Sequence, residues 1–218
     1  MRRLGPWLTL AAVAVLGIAL VVVNMSKESE PAAAEKNTAV GASSVVVAEA
    51  PPTAATVPVQ FPAKADYVGN VVPATGAPIT LSITVEGGKA IAYACDGASV
   101  ESWLQGSAVN GTLTLTGKNE TRLDGRYDGT TVTGTLALGA KKWEFRTAAV
   151  QSPAGLYVYT EGGVRQSWIV DGNGAVTGVQ RAADGSTSPA PALAPDATAI
   201  VNGKKIIANK VSGGDSVG

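Results

Sequence analysis

The sequence predicts an all-β fold: an antiparallel meander closed as a small barrel or sandwich, preceded by one N-terminal transmembrane helix and a disordered tether. Three observations predict it. Beyond Asp66, short apolar alternations of period two recur, the mark of strands with one buried face. Gly-rich turns separate them every 8–12 residues. No strong amphipathic helix follows to supply the long crossovers that parallel strands require.

The first element is an anchor over residues 1–23. Arg2 and Arg3 precede an uncharged stretch of 20 residues, Leu4 to Val23. As a helix it would span about 30 Å, the thickness of a bilayer core. Eleven of the 20 are Leu, Ile or Val, and together they favour insertion by roughly 3–7 kcal/mol. Pro6 falls in the first turn, where its missing N–H costs little, and Trp7 suits the headgroup boundary. A cleaved secretory signal is the competing reading. It expects an apolar core of about 7–15 residues ending at a small-x-small site. Val21 to Met25 offers no such site, and Ala32-Ala33-Ala34 begins nine residues beyond the apolar run. An uncleaved signal-anchor is expected, making a single-pass cell-membrane protein. The arginines place its N terminus in the cytoplasm and its C-terminal domain outside. The single cysteine, Cys95, leaves none beside the apolar run to carry a lipid.

Residues 24–66 read as a tether rich in Ala, Pro, Ser, Thr and Glu. Pro51-Pro52 and Pro58 to Pro62 favour extended backbone, and such a segment buries too little apolar surface to offset its ordering entropy. Composition changes near Asp66: residues 67–218 hold 23 of the 26 Gly, and residues 1–66 hold half of the 12 Pro.

Residues 67–218 form the predicted β domain. Strands are expected near 67–72, 79–86, 89–95, 111–117, 120–127, 130–138, 141–147, 155–160, 164–170, 175–181, 197–202 and 204–210. Leu113 and Leu115 alternate with threonines, and Trp143 and Phe145 alternate with Lys142, Glu144 and Arg146. Asn110-Gly111, Asp128-Gly129, Asn202-Gly203 and Asp171-Gly172-Asn173-Gly174 suit tight hairpin turns. Val100, Trp103 and Leu104 have helical spacing, so 98–105 stays open between a short helix and a strand. Pro189, Pro191 and Pro195 make 186–196 a loop. A break near Ser152-Pro153 would divide the domain at about 152. The second part is small for a core of its own, so one continuous unit is preferred.

Composition excludes much chemistry. Formal charge is zero, 17 basic against 17 acidic residues, and no Lys/Arg run offers phosphates a basic surface, so no nucleic acid is expected as a partner. Histidine is absent, which removes His-dependent triads and most catalytic zinc sites. Cys95 follows an apolar run and precedes Asp96, which opposes ionisation, so a structural thiol is expected rather than a nucleophile. Paired carboxylates could still hydrolyse glycosides, with Asp96, Glu101, Glu120, Asp124 and Asp128 as the acidic candidates. Asp171-Gly172-Asn173-Gly174 lacks the remaining ligands of a calcium loop. No catalytic residue, cofactor or metal is assigned. The candidate ligand or interaction surface is Asp96, Glu101, Trp103, Tyr127 and Trp168: some of the aromatics are expected to fill the core, and one or two exposed in a cleft would bind sugar, lipid or peptide.

The run Ala92-Tyr93-Ala94-Cys95-Asp96-Gly97, then Val100-Glu101-Ser102-Trp103-Leu104-Gln105-Gly106 and Leu115-Thr116-Gly117-Lys118, resembles an uncharacterised family of actinobacterial exported domains that follow a membrane anchor or signal. The resemblance covers about residues 67–180. It implies a Gram-positive envelope setting and supplies no activity or site residues. The expected function is a membrane-tethered extracytoplasmic binding or scaffolding module whose partner is an envelope protein, glycan or lipid. A His-independent carboxylate enzyme such as a glycan hydrolase and a lipid-binding barrel are the alternatives.

Overall fold

The computed structural model describes residues 58–73 and 76–216, all in one unit that spans 54–218. The expected anchor, and the tether as far as residue 57, lie outside the described residues. Among the described residues, no helix is long and apolar enough to cross a membrane.

Eight strands run up and down and close into a barrel: β1 (Lys64–Val71), β2 (Ile79–Glu86), β3 (Lys89–Cys95), β4 (Glu101–Val109), β5 (Thr112–Gly117), β6 (Arg122–Tyr127), β7 (Thr131–Leu138) and β8 (Lys141–Val150). Every neighbouring pair is antiparallel, and β1 closes the ring against β8 through Asp66↔Val150 and Val68↔Ala148. The interior is filled by side chains at alternate positions, among them Tyr67, Leu81, Ile83, Leu104, Leu123 and Leu136, none of them exposed. Each such aliphatic burial contributes about 1.5–3 kcal/mol. Of the two closures left open by the sequence, the barrel is the one formed by 64–150.

β1 begins at Lys64, ahead of the compositional boundary at Tyr67, and the preceding segment belongs to the fold. Phe61 stacks on Tyr127 with ring centroids 4.8 Å apart and meets Tyr67 edge-on at 6.3 Å. Segment 98–105 contains the start of β4 and no helix.

A second sheet follows the cis peptide at Ser152-Pro153. It comprises β9 (Gly155–Glu161), β10 (Val164–Val170), β11 (Val176–Arg181), β12 (Thr187–Pro189) and β15 (Asn209–Lys210), in the order β12-β11-β10-β9-β15. The expected loop 186–196 thus includes a three-residue edge strand, where Pro189 is tolerated. A hairpin of β13 (Thr198–Val201) and β14 (Lys204–Ile207) completes the element order.

The second sheet is buried on both sides. Leu156, Ile169 and Val179 pack on Val68, Ile91 and Tyr93 from the outer wall of the barrel, while Trp168 and Val170 pack on Leu193, Val201 and Ile206 from the hairpin side. This explains the apolar run of β3. Ala90, Ala92 and Ala94 point into the barrel, and Ile91, Tyr93 and Cys95 point into the second core. Lys210 fastens the layers with an ion pair to Asp66 at 2.8 Å and a hydrogen bond to the Ala154 carbonyl at 2.9 Å.

Candidate functional site

Turn geometry places the central charged residues. Asp171 accepts the N–H groups of Asn173 and Ala175 at 2.8 and 2.9 Å, and so sets the β10–β11 hairpin. In the register that follows, Arg165 lies directly opposite Arg181. Like charges in that position repel across a ladder. On the facing barrel wall, Asp96 accepts the N–H groups of Ala98, Ser99 and Val100. That turn starts β4 with Glu101 opposite Cys95 and Trp103 opposite Tyr93.

The two walls meet at Glu101. Its side chain is 1% exposed. One oxygen, Oε1, accepts Arg165 Nη2 at 2.9 Å and also Arg181 Nε. The other, Oε2, accepts the Tyr93 hydroxyl at 3.0 Å. A carboxylate bonded this fully has its burial compensated. Trp103 completes the cluster, 4.6 Å from the Tyr93 ring and under the Arg165 guanidinium at 5.1 Å, the geometry of a cation–π contact. Arg181 is further held by its Nη1 donating to the Gly185 carbonyl at 2.9 Å.

Two grooves open beside this cluster. The larger, about 630 Å³, is lined by Trp103, Gln105, Thr116, Lys118, Arg165 and Arg181, with Glu101 at its wall. The other, about 450 Å³, shares Trp103, Arg165 and Arg181 and adds Val158 and Thr160. The volumes lie in the range of small-ligand sites, about 300–1,000 Å³.

Of the sequence candidates, the structure brings together Glu101 and Trp103. Asp96 sits at the neighbouring turn as a cap, and hydrogen bonds from that turn hold its carboxyl below the usual range against the opposing effect of burial. Tyr127 packs at one end of the barrel against Phe61 and Tyr67 and donates to the Gly129 carbonyl at 2.6 Å. Trp168 is 1% exposed in the second core, its Nε1 donating to the Pro191 carbonyl at 2.8 Å. Both are packing residues.

Two of the other acidic candidates are engaged. Asp124 takes a bidentate contact from Arg122 at 2.5 and 2.7 Å. Asp128 caps its own turn through Thr130 and Thr131, and those bonds hold it well below the usual carboxylate range. Glu120 stands in a turn with φ of 58°.

Arg165 and Arg181 were not among the candidates. The signal for them was the hairpin turn itself. Once Asp171-Gly172-Asn173-Gly174 is read as the turn, counting outward pairs the two arginines, and such a pair demands an acid from elsewhere in the fold.

Burial, opposed only in part by hydrogen bonds from Gly97 and Tyr93, pushes the Cys95 thiol from 9.0 up to about 12. The folded protein is therefore expected to resist iodoacetamide at pH 8 and to be labelled on unfolding in urea. Quantitative labelling of the folded chain would contradict the placement. Because this pKa is raised, the associated stability is complete below pH 9 and is lost between pH 9 and about 12.

Compared with protein-family models, with curated proteins and with solved structures, the chain shows no match to any of them.

Proposed function

We propose that this chain is a binding module of the cell envelope, held at the membrane by residues 1–23 and presenting the groove beside Trp103, Arg165 and Arg181 to a ligand outside the cytoplasm. The observation that carries this reading is the cluster around Glu101. A buried carboxylate holds two arginines and, through Arg165, a tryptophan at the edge of an open groove. That arrangement pre-orders side chains that would otherwise lose rotamer freedom on binding. The apolar stretch Leu4 to Val23 supports the membrane attachment, and the resemblance in residues 92–118 supports an envelope setting.

A carboxylate enzyme draws no support from this geometry. Asp96, Glu101 and Asp124 each hold several hydrogen bonds within the fold, whereas a general acid or nucleophile must be offered to substrate. A lipid carrier draws none either, because side chains from all eight strands fill the barrel.

The test is sedimentation of the full chain, in non-ionic detergent, with delipidated cell-envelope polymer. The parent chain is expected in the pellet, and Arg181→Glu is expected to lower the pelleted fraction about tenfold, the effect of replacing an attractive charge with a repulsive one. Equal pelleting of the two, or none of the parent, would sink the proposal.

A further inference from the structure

We infer that the ligand of the larger groove is an acidic saccharide whose oxyanion lies against Arg181, an inference that rests on the binding reading above. Charge is the first ground. Among the described residues lining this groove, Lys118, Arg165 and Arg181 are cationic and Glu101 alone is anionic. Both Glu101 oxygens already accept hydrogen bonds inside the fold. The groove therefore carries a positive surplus in a chain whose formal charge is zero. Such a surplus between low-dielectric walls attracts anions.

Geometry is the second ground. Arg181 keeps 38% of its side chain exposed while bonds to Glu101 and to the Gly185 carbonyl fix its plane. With Nε on Glu101 and Nη1 on the Gly185 carbonyl, the remaining guanidinium N–H groups are left to meet an oxyanion as charge-assisted donors. Arg165, at 20% exposed, lies deeper and leans on Trp103, so the outer arginine is the one placed to meet a ligand.

The rest of the lining argues for a sugar. Gln105, Thr116 and Asn119 supply exposed hydroxyl and amide groups along the same groove, beside the Ser102–Thr121 hydroxyl pair. These donate and accept as sugar hydroxyls do, and the half-buried Trp103, with Arg165 over one face, adds an apolar edge for ring C–H groups. An acidic peptide would use the same charge and meet these groups through its backbone amides, but without the ring C–H face that suits Trp103.

The experiment is calorimetric titration of the full chain, in non-ionic detergent, with four probes. Trigalacturonate and maltotriose phosphate carry the two oxyanions on a sugar, the trimethyl ester of trigalacturonate removes the charge, and triglutamate keeps charge without sugar. At least one charged saccharide is expected to bind about tenfold more tightly than the ester, with affinity falling as salt rises. Which of the two does so identifies carboxylate or phosphate. Arg181→Gln is expected to remove about tenfold, and Lys118→Gln, on an exposed turn apart from the Glu101 cluster, about threefold. Ester binding as tight as either charged saccharide overturns the charge inference and leaves the binding reading standing. Triglutamate binding as tight as either charged saccharide overturns the saccharide inference. Failure of all four overturns the inference entirely, and sedimentation with envelope polymer then decides the binding reading separately.

Discussion

Gly134→Val is expected to abolish cooperative folding of the barrel. Gly134 lies opposite Gly125 where β7 crosses β6. A Cβ at Gly134 would stand 2.0 Å from the Asp124 carbonyl oxygen and 2.6 Å from the Gly125 Cα. Both are backbone atoms of a paired strand, so no rotamer change relieves the clash and the ladder itself must open. The same close approach recurs at Gly106, 2.1 Å from the Thr114 carbonyl oxygen, which identifies these as places where the sheet curls tightly enough to close. The cost is at least about 3 kcal/mol, a large share of an ordinary stability margin. Gly172→Ala is the control, since a Cβ there meets only Val150 Cγ1 at 3.6 Å, and a change within about 0.5 kcal/mol is expected. Urea titration followed by far-ultraviolet circular dichroism checks both. An unchanged midpoint for Gly134→Val would show that the strands do not curl as described.

Glu101→Leu is expected to cost about 3 kcal/mol, in the low range for breaking a buried ion pair because Arg181 is partly solvated. The variant leaves Arg165 and Arg181 facing each other across β10 and β11 with no anion between them, and removes the acceptor of the Tyr93 hydroxyl. The loss should be felt where barrel and second sheet meet, with protection from amide exchange falling first in β10 and β11. Glu101→Leu combined with Arg165→Met should recover part of the loss, since one of the two repelling charges is then gone. If Glu101→Leu melts with the parent chain, the carboxylate does not hold the layers together.

Much of the barrel was legible because most of its strands bury one face. Leu113 and Leu115 point inward between outward threonines, and Phe145 points inward between Glu144 and Arg146. Where both faces are covered, the pattern fades. In β4, Trp103 packs outward in the second core while Leu104 points into the barrel, so two adjacent apolar residues mimic helical spacing. The starting residue of the folded region was masked in a similar way, because Phe61 lies in a Pro-rich stretch and finds its partners only in β1 and β6. Closure was not legible either. It depends on the pairing of Asp66 with Val150, and no local signal encodes a contact that far along the chain.

The candidate site divides along the same line. Glu101 and Trp103 stood out locally only as an acid and an aromatic, just beyond the Asp96-Gly97 turn. Their arginine partners lie in another sheet, and only the tertiary packing brings them to one carboxylate. Tyr127 and Trp168 drew notice for the same aromatic character and are packing residues, because a half-buried and a fully buried tryptophan look alike in sequence.

Amide hydrogen exchange of the full chain, with and without delipidated envelope polymer, tests the central claim most directly. Added protection is predicted in the segment Glu101 to Gln105 and at the Arg165 and Arg181 ends of β10 and β11. Protection confined to the β13–β14 hairpin or to the β1–β2 wall would contradict it, as would no change anywhere in the domain.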